Sequence, residues 1–376
     1  MTVGVRVKRL REMHSLTQAS LVSDIPGLTQ SRLSRIESGL SSPDDEILEL
    51  LAIALGVRSD YFFRESLIDL IGQSPQLRAR SRLTQAAKSS VVHWANLIYE
   101  EYERLESGSG IPNRLSRDDG HLDPAHAARA TRDQLGFDQS SPLPYIVLAV
   151  ERLGVAILGI PSHQPAMDAF CAWHNDRPVI GLLEGAPPDR VRWSIAHELG
   201  HLVLHRGQAK TASMEAEADQ FAAELLTPLH ALKKFMPRRP TLSHFTVLKT
   251  QWGVSIKSLV RRAKELEVLD QDRAIGLYRQ ISARGWNKTE PGFVAEEKPR
   301  GFRKLVELRY PGESLGVDNL AKDASWSTDL AIRILRRHAG PDDLPYDTID
   351  PTRSDNVVDL GFARRSRAMN RQLLQG

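Results

Sequence analysis

The sequence predicts a mainly helical chain with one small β-sheet, an α+β class assembled from several units in series. Three observations carry that expectation. Apolar residues recur at helical spacing through most of the 376 residues. Only three short runs, at 154–160, 169–173 and 178–183, read as strands. Just beyond them lies His197-Glu198-Leu199-Gly200-His201, whose two histidines stand one above the other on the same face of a helix. The length suits two or three domains, and 41% hydrophobic against 26% charged residues is the balance of a globular chain with real cores. No apolar run is long enough to span a membrane, and the N-terminus lacks the apolar core of a signal peptide. The single cysteine, Cys171, precludes an internal disulfide and fits a reducing cytoplasm, the location expected for this chain.

Residues 1–63 read as five short helices. Val7, Leu10 and Met13 are helically spaced, and Thr17 caps a second helix. Pro26-Gly27 turns the chain. Thr29 caps a third helix, Gln30 to Glu37, closed by Gly39; Pro43 starts a fourth, and Val57 to Phe62 reads as a fifth. Leu16-Thr17-Gln18, then Thr29-Gln30-Ser31-x-Leu33-Ser34-x-Ile36-Glu37-x-Gly39, then Leu48-x-x-Leu51-Ala52-x-x-Leu55-Gly56-Val57 resemble the Cro/repressor (XRE) type of helix-turn-helix. The resemblance implies an all-α DNA-binding domain with the third helix in the major groove. Thr29, Gln30, Ser31, Arg32, Ser34 and Arg35 are then the candidate DNA contacts. Gln suits adenine, Arg suits guanine or phosphate. Gln18 and the cluster Arg6, Lys8, Arg9, Arg11 are expected on phosphates. The segment is not basic overall, with seven Lys/Arg against eight Asp/Glu, but Asp44, Asp45, Glu46 and Glu49 fall on the later helix, away from the expected DNA face. A double-stranded operator is the implied partner. Repressor-type domains pair on two-fold sites, which leaves a homodimer open.

Residues 64–106 are helical by pattern, with Leu67, Ile68, Leu70 and Ile71 early and Val91 to Leu105 later; 64–124 is the connector and linker, broken at Ser107-Gly108-Ser109-Gly110. A metal unit is expected over 125–237. It begins with two helices, the second from Tyr145 to Leu153, and continues with the three strands, the last two joined by a turn at His174–Arg177.

On the helix that follows, His197 and His201 can offer two nitrogens to one ion, with Glu198 beside them. Zinc takes such nitrogens at roughly 2.0–2.1 Å and keeps one position open for chemistry. Glu198 would take the proton of the attacking water as general base and pass it to the leaving amine. The pattern alone also arises on ordinary solvated helices; the apolar run around it argues for a core helix, and Gly200 inside it suggests a closely packed neighbour. A third ligand is needed. Ala218, Phe221, Ala222, Leu225 and Leu226 mark a second helix ended by Pro228, and Glu217 lies at the margin of its apolar stripe.

His-Glu-Leu-Gly-His-Leu-x-Leu-His followed by Glu-Ala-x-x-Phe-Ala-x-x-Leu-Leu-x-Pro resembles the ImmA/IrrE family of metallopeptidases. The resemblance implies a zincin-like domain with His197, His201 and Glu217 as ligands and Glu198 as catalytic base. It also implies a protein substrate, a transcriptional repressor, in stress or mobile-element responses. His205, one turn too far to reach the ion, reads as a group behind the ligands or as a helix C-terminal cap. Glu215 and Asp219 sit about 200° around the helix from Glu217 and face solvent or a histidine N–H. Zinc is the expected metal, although manganese and iron suit the same ligands. The edge of the small sheet could pair with an extended substrate. His174 and Tyr145 are conceivable oxyanion donors that the sequence does not place.

From 233 to 310 there are eighteen Lys/Arg against eight Asp/Glu, so the region 238–340 is a basic, helical C-terminal unit with turns at 252–255 and 326–327. Residues 341–376 read as a polar tail. The whole predicts a DNA-binding regulator with a zinc endopeptidase domain. The alternative is a non-proteolytic transcription factor or antitoxin-like regulator whose metal domain is a sensor or scaffold.

Overall fold

A computed structural model describes residues 3–65, 68–70, 83–107, 113–115, 123–206 and 211–340. Leu67, Ile71, most of the expected linker and the tail 341–376 lie outside those residues.

Four helices open the chain: α1 (Val3–Met13), α2 (Gln18–Ser23), α3 (Gln30–Glu37) and α4 (Asp45–Leu55). The second and third start at the expected caps, and the fourth starts from its cap Asp44, one residue after the expected Pro43. Thr17 accepts from the Ser20 amide, Thr29 from that of Arg32 and Asp44 from that of Ile47, each such bond worth about 1 kcal/mol. Leu10, Leu33, Ile36, Leu51 and Leu55 close the core. α1 meets the end of α3 at Gly4, where a Cβ would stand 1.8 Å from the Ile36 carbonyl oxygen. The fifth helix expected over Val57–Phe62 is replaced by a 3₁₀ turn, Ser59–Phe63. Gly56, at φ 73°, ends α4, and Val57 is taken by a β-bridge to Trp326, which leaves too little chain for an α-helix.

Ile68 and Leu70 are buried without being helical, and the Leu70 amide donates to Asn96 Oδ1 at 3.0 Å. The helical pattern of the connector is realised later, in α5 (Gln85–Glu106), capped by Thr84. Next come α6 (Pro124–Gln134), α7 (Ile146–Arg152) and a three-stranded sheet of β1 (Ala156–Ile160), β2 (Ala169–His174) and β3 (Arg177–Leu183). The strand order is β1-β3-β2, with β1 parallel and β2 antiparallel to β3. Asn175, at φ 54°, makes the tight turn between β2 and β3.

Side chains alternate across the sheet, and each face serves a different core. Ile157, Ala169, Cys171, Ile180 and Leu182 pack with the helices that follow: α8 (Pro188–Leu204), α9 (Ala212–Leu226), α10 (Leu229–Lys233), α11 (Leu242–Trp252), α12 (Ile256–Glu265) and α13 (Gln271–Ala283). Ala156, Leu158, Ile160, Phe170, Val179 and Leu183 join the core of α1–α5. That second core is completed by α14 (Gly301–Arg309), α15 (Val317–Asp323) and α16 (Thr328–Leu335). The basic stretch 238–340 therefore divides, with 242–281 in one core and 302–339 in the other.

The N-terminal helices are tied to the rest by backbone and by charge. The Arg58 amide donates to the Ser325 carbonyl at 2.9 Å and the Ser327 amide to that of Gly56 at 3.0 Å. Arg6 pairs with Glu100 at 3.1 Å, and Arg64 reaches both Glu101 and the Ala324 carbonyl. Breaking a buried pair such as Arg6–Glu100 costs about 3–5 kcal/mol, because one charge is left stranded.

Candidate metal centre and DNA-reading helix

α8 is fixed from its first turns. The guanidinium of buried Arg192 donates to the carbonyls of Gly253, Pro144 and Leu143 and pairs with Glu297. Ile195, Ala196, Leu199 and Leu202 bury the helix, and Glu198, His201 and His205 are buried with them, none more than 3% exposed. α9 runs back along α8 and touches it at Gly200. A Cβ there would stand 3.0 Å from the Phe221 ring and 3.3 Å from Ala218 Cα, so the expected close neighbour is α9 itself.

That contact carries the α9 carboxylates to the histidines. His197 Nε2 and His201 Nε2 stand 3.2 Å apart. Glu215 Oε1 is 3.0 Å from His201 Nε2, and Glu215 Oε2 is 3.8 Å from His197 Nε2. Two atoms bound to a tetrahedral zinc would stand about 3.3 Å apart, so this donor set of two imidazoles and a carboxylate fits such an ion. His197, His201 and Glu215 are the group the fold brings together.

Glu217 is not in that group. Its carboxylate lies on His205 Nε2, at 2.8 Å. The reason is helical phase. The face of α9 against Gly200 runs through Phe221 and Ala218, and one turn earlier it reaches Glu215 rather than Glu217. Extending the apolar stripe by one turn would have found Glu215 in the sequence. Asp219, four residues on, accepts from His197 Nδ1 at 2.9 Å. His205 is the C-cap of α8 and also stands behind the ligands, as expected: its Nδ1 is 3.0 Å from His201 Nδ1. Burial pulls His197 towards the neutral form, yet the hydrogen bond to Asp219 and the charges of Glu198, Asp219 and Glu215 outweigh it and raise its pKa. His174 pairs with Glu103 and stacks edge-on with Tyr99, while Tyr145 is exposed ahead of α7; neither joins the cluster.

On α3 the candidate DNA residues divide by exposure. Gln30, Ser31, Ser34 and Arg35 face solvent while Leu33 and Ile36 anchor the helix. Thr29 caps the helix, and its hydroxyl is also 3.2 Å from that of Ser31. Arg32 donates to Asp44 at 2.6 Å, so one acid expected to lie away from this face engages it. Gln18 donates to Glu37 at 2.8 Å.

The phosphate cluster expected on α1 is corrected by the structure. Arg6 is buried against Glu100, Arg9 donates to the Ile68 carbonyl, and Arg11 holds Glu37. These cations lie within reach of buried acceptors, and of the four only Lys8 is exposed.

Two families match this chain. Residues 150–264 match a peptidase family described as the IrrE N-terminal-like domain. Residues 7–62 match the helix-turn-helix family. Among curated proteins, Antitoxin PezA of Streptococcus pneumoniae serotype 4 (strain ATCC BAA-334 / TIGR4) is 29% identical over 111 residues, which is 29% of this chain and 64% of that protein. The chain thus spans just under two thirds of the length of that relative. With the fold above, these matches identify a chain that joins an XRE-type helix-turn-helix domain to a metallopeptidase-like domain of the IrrE/ImmA kind.

Proposed function

We propose that this protein is a cytoplasmic DNA-binding regulator whose IrrE-like domain is a zinc-dependent endopeptidase acting on a transcriptional repressor or related regulatory protein. The observation that carries the reading is the convergence of His197, His201 and Glu215 with Glu198 buried beside them. Zinc bound by those three residues would supply Lewis-acid polarisation of water and of the scissile carbonyl. Glu198 accepts the water proton and returns it to the departing amine. Asp219 holds the His197 ring by its Nδ1–H. The backbone of edge strand β2, in contact with α8, is the surface on which an extended substrate would align. Gln30, Ser31, Ser34 and Arg35 read base edges, Thr29, Gln18 and Arg32 sit at the rim of that face, and two copies bind a two-fold operator.

Glu198→Gln keeps the ligands and removes the base. New protein N-termini in host cells, before and after stress, should include one inside a repressor with the wild type and lack it with the variant. Identical termini in both under several stresses would reject the peptidase.

The similarity to an antitoxin supports a second reading, a non-proteolytic regulator in a toxin–antitoxin-like system with the metal domain as sensor or scaffold. Under it, operator occupancy would change with zinc while no cleavage depended on Glu198.

A further inference from the structure

The geometry points to a hydrogen-bond relay, Glu217–His205–His201, that holds His201 in the tautomer a metal can bind; His205 and Glu217 are then positioning residues, not ligands. The inference rests on the metal-centre reading above.

The polarity of the relay follows from its outer end. Glu217 Oε2 is 2.8 Å from His205 Nε2, and a carboxylate only accepts, so that nitrogen carries the hydrogen. A neutral imidazole has a single N–H, which leaves His205 Nδ1 as an acceptor. His201 Nδ1, 3.0 Å away, must then donate to it. His201 Nε2 is left with its lone pair turned towards His197 Nε2 and the Glu215 carboxylate oxygen, 3.0 Å away, the two groups that would share an ion with it. His197 arrives at the same state independently, because its Nδ1–H is given to Asp219 at 2.9 Å. Two nitrogen lone pairs therefore face each other at 3.2 Å, an arrangement that a cation between them stabilises.

Metal-bound histidines generally hand their other N–H to a fixed acceptor, and removing that acceptor weakens metal binding about 10–100-fold. Here the acceptor of His201 is another imidazole, oriented in turn by a carboxylate. His201 and His205 are 3% and 2% exposed, so bulk water does not substitute for either partner. Glu217 itself is reachable, with its side chain 43% exposed. It can be replaced without opening the core.

The test uses the full chain and Zn²⁺ in competition with a chelator, together with ¹⁵N NMR of the histidines in zinc-free protein. Glu217→Ala and His205→Phe should each weaken Zn²⁺ about 10–100-fold. The double variant should be no weaker than the worse single, because the two act in series. Glu217→Gln, whose Oε1 still accepts from His205, should stay within a few-fold of the wild type. His201 should be protonated on Nδ1 in the wild type and shift towards Nε2 in Glu217→Ala. Zinc loss in Glu217→Ala as complete as in Glu215→Ala would make Glu217 a ligand and overturn the relay, as would wild-type affinity in both single variants. If the wild type binds no zinc, the metal reading fails, and the His201 tautomer still decides the relay.

Discussion

α3 and α8 each carry their chemistry in a few polar side chains, and they hold them in opposite ways. On α8 and its C-cap, Glu198, His201 and His205 are buried, and His201 Nδ1 has a partner behind it in His205. On α3, Gln30, Ser31, Ser34 and Arg35 stand in solvent. An unpaired polar group inside a protein costs roughly 2–7 kcal/mol, so a buried site must be built complete, down to the acceptors behind its ligands. An exposed face is satisfied by water until the ligand arrives, and the cost of ordering it is met on binding. The metal centre is therefore preorganised by the fold, whereas the DNA face is only presented by it.

The sharpest break in that comparison is His201→Ala. It should lower Zn²⁺ affinity by more than about 100-fold, beyond the range of losing an acceptor behind a ligand, while operator binding measured on the same preparation changes little. Loss of both together would mean that the two sites are one folding-coupled unit rather than two differently built ones. On α3, Gln30→Ala and Arg35→Ala should each cost about 1–3 kcal/mol on the preferred operator and much less on unrelated DNA. Equal losses on both DNAs would move the residue from base to phosphate contact.

The seam between the two cores gives a third case. Glu151, at the end of α7, accepts from the Arg300 and Gly301 amides at the start of α14, and burial pushes its carboxyl from 4.5 up to about 7. Because the folded pKa is the higher one, the folded state binds this proton more tightly. Its contribution to stability is full below pH 4.5 and is lost as pH rises through about 7. Glu151→Gln should then stabilise the protein by about 1–3 kcal/mol at pH 8, a gain that vanishes towards pH 4.5 in paired melting curves. A gain independent of pH would place its origin in packing instead.

The smallest effect is expected from Asp44→Asn, which keeps the cap on α4 and releases Arg32. DNA binding should tighten a few-fold and its salt slope should steepen by about one counterion. An unchanged slope would leave Arg32 off the phosphates.

Much of this was legible in the chain. Thr17 and Thr29 cap helices because a hydroxyl next to a helical run competes for its first free amides, a local matter. The three short apolar runs became β1–β3, and His197 and His201 are stacked by helical pitch alone. What was not legible depends on which element lies opposite. Arg6, Arg9 and Arg11 look like phosphate ligands in a basic helix, but Arg6 and Arg11 are buried and Arg9 half-buried, because Glu100, Glu37 and the Ile68 carbonyl come to them from elsewhere. The Val57–Phe62 segment forms a 3₁₀ rather than an α-helix, with Val57 held in an isolated β-bridge to Trp326, far along the chain.

The metal centre divides along the same line. Spacing within one helix brought His197, Glu198 and His201 together, because residues four apart on a rigid helix cannot avoid being neighbours. The third carboxylate was decided only by how α9 docks on α8. Gly200 sets the closeness of that contact and Ala218 its rotation, so Glu215 is carried to the histidines and Glu217 is set behind them on His205.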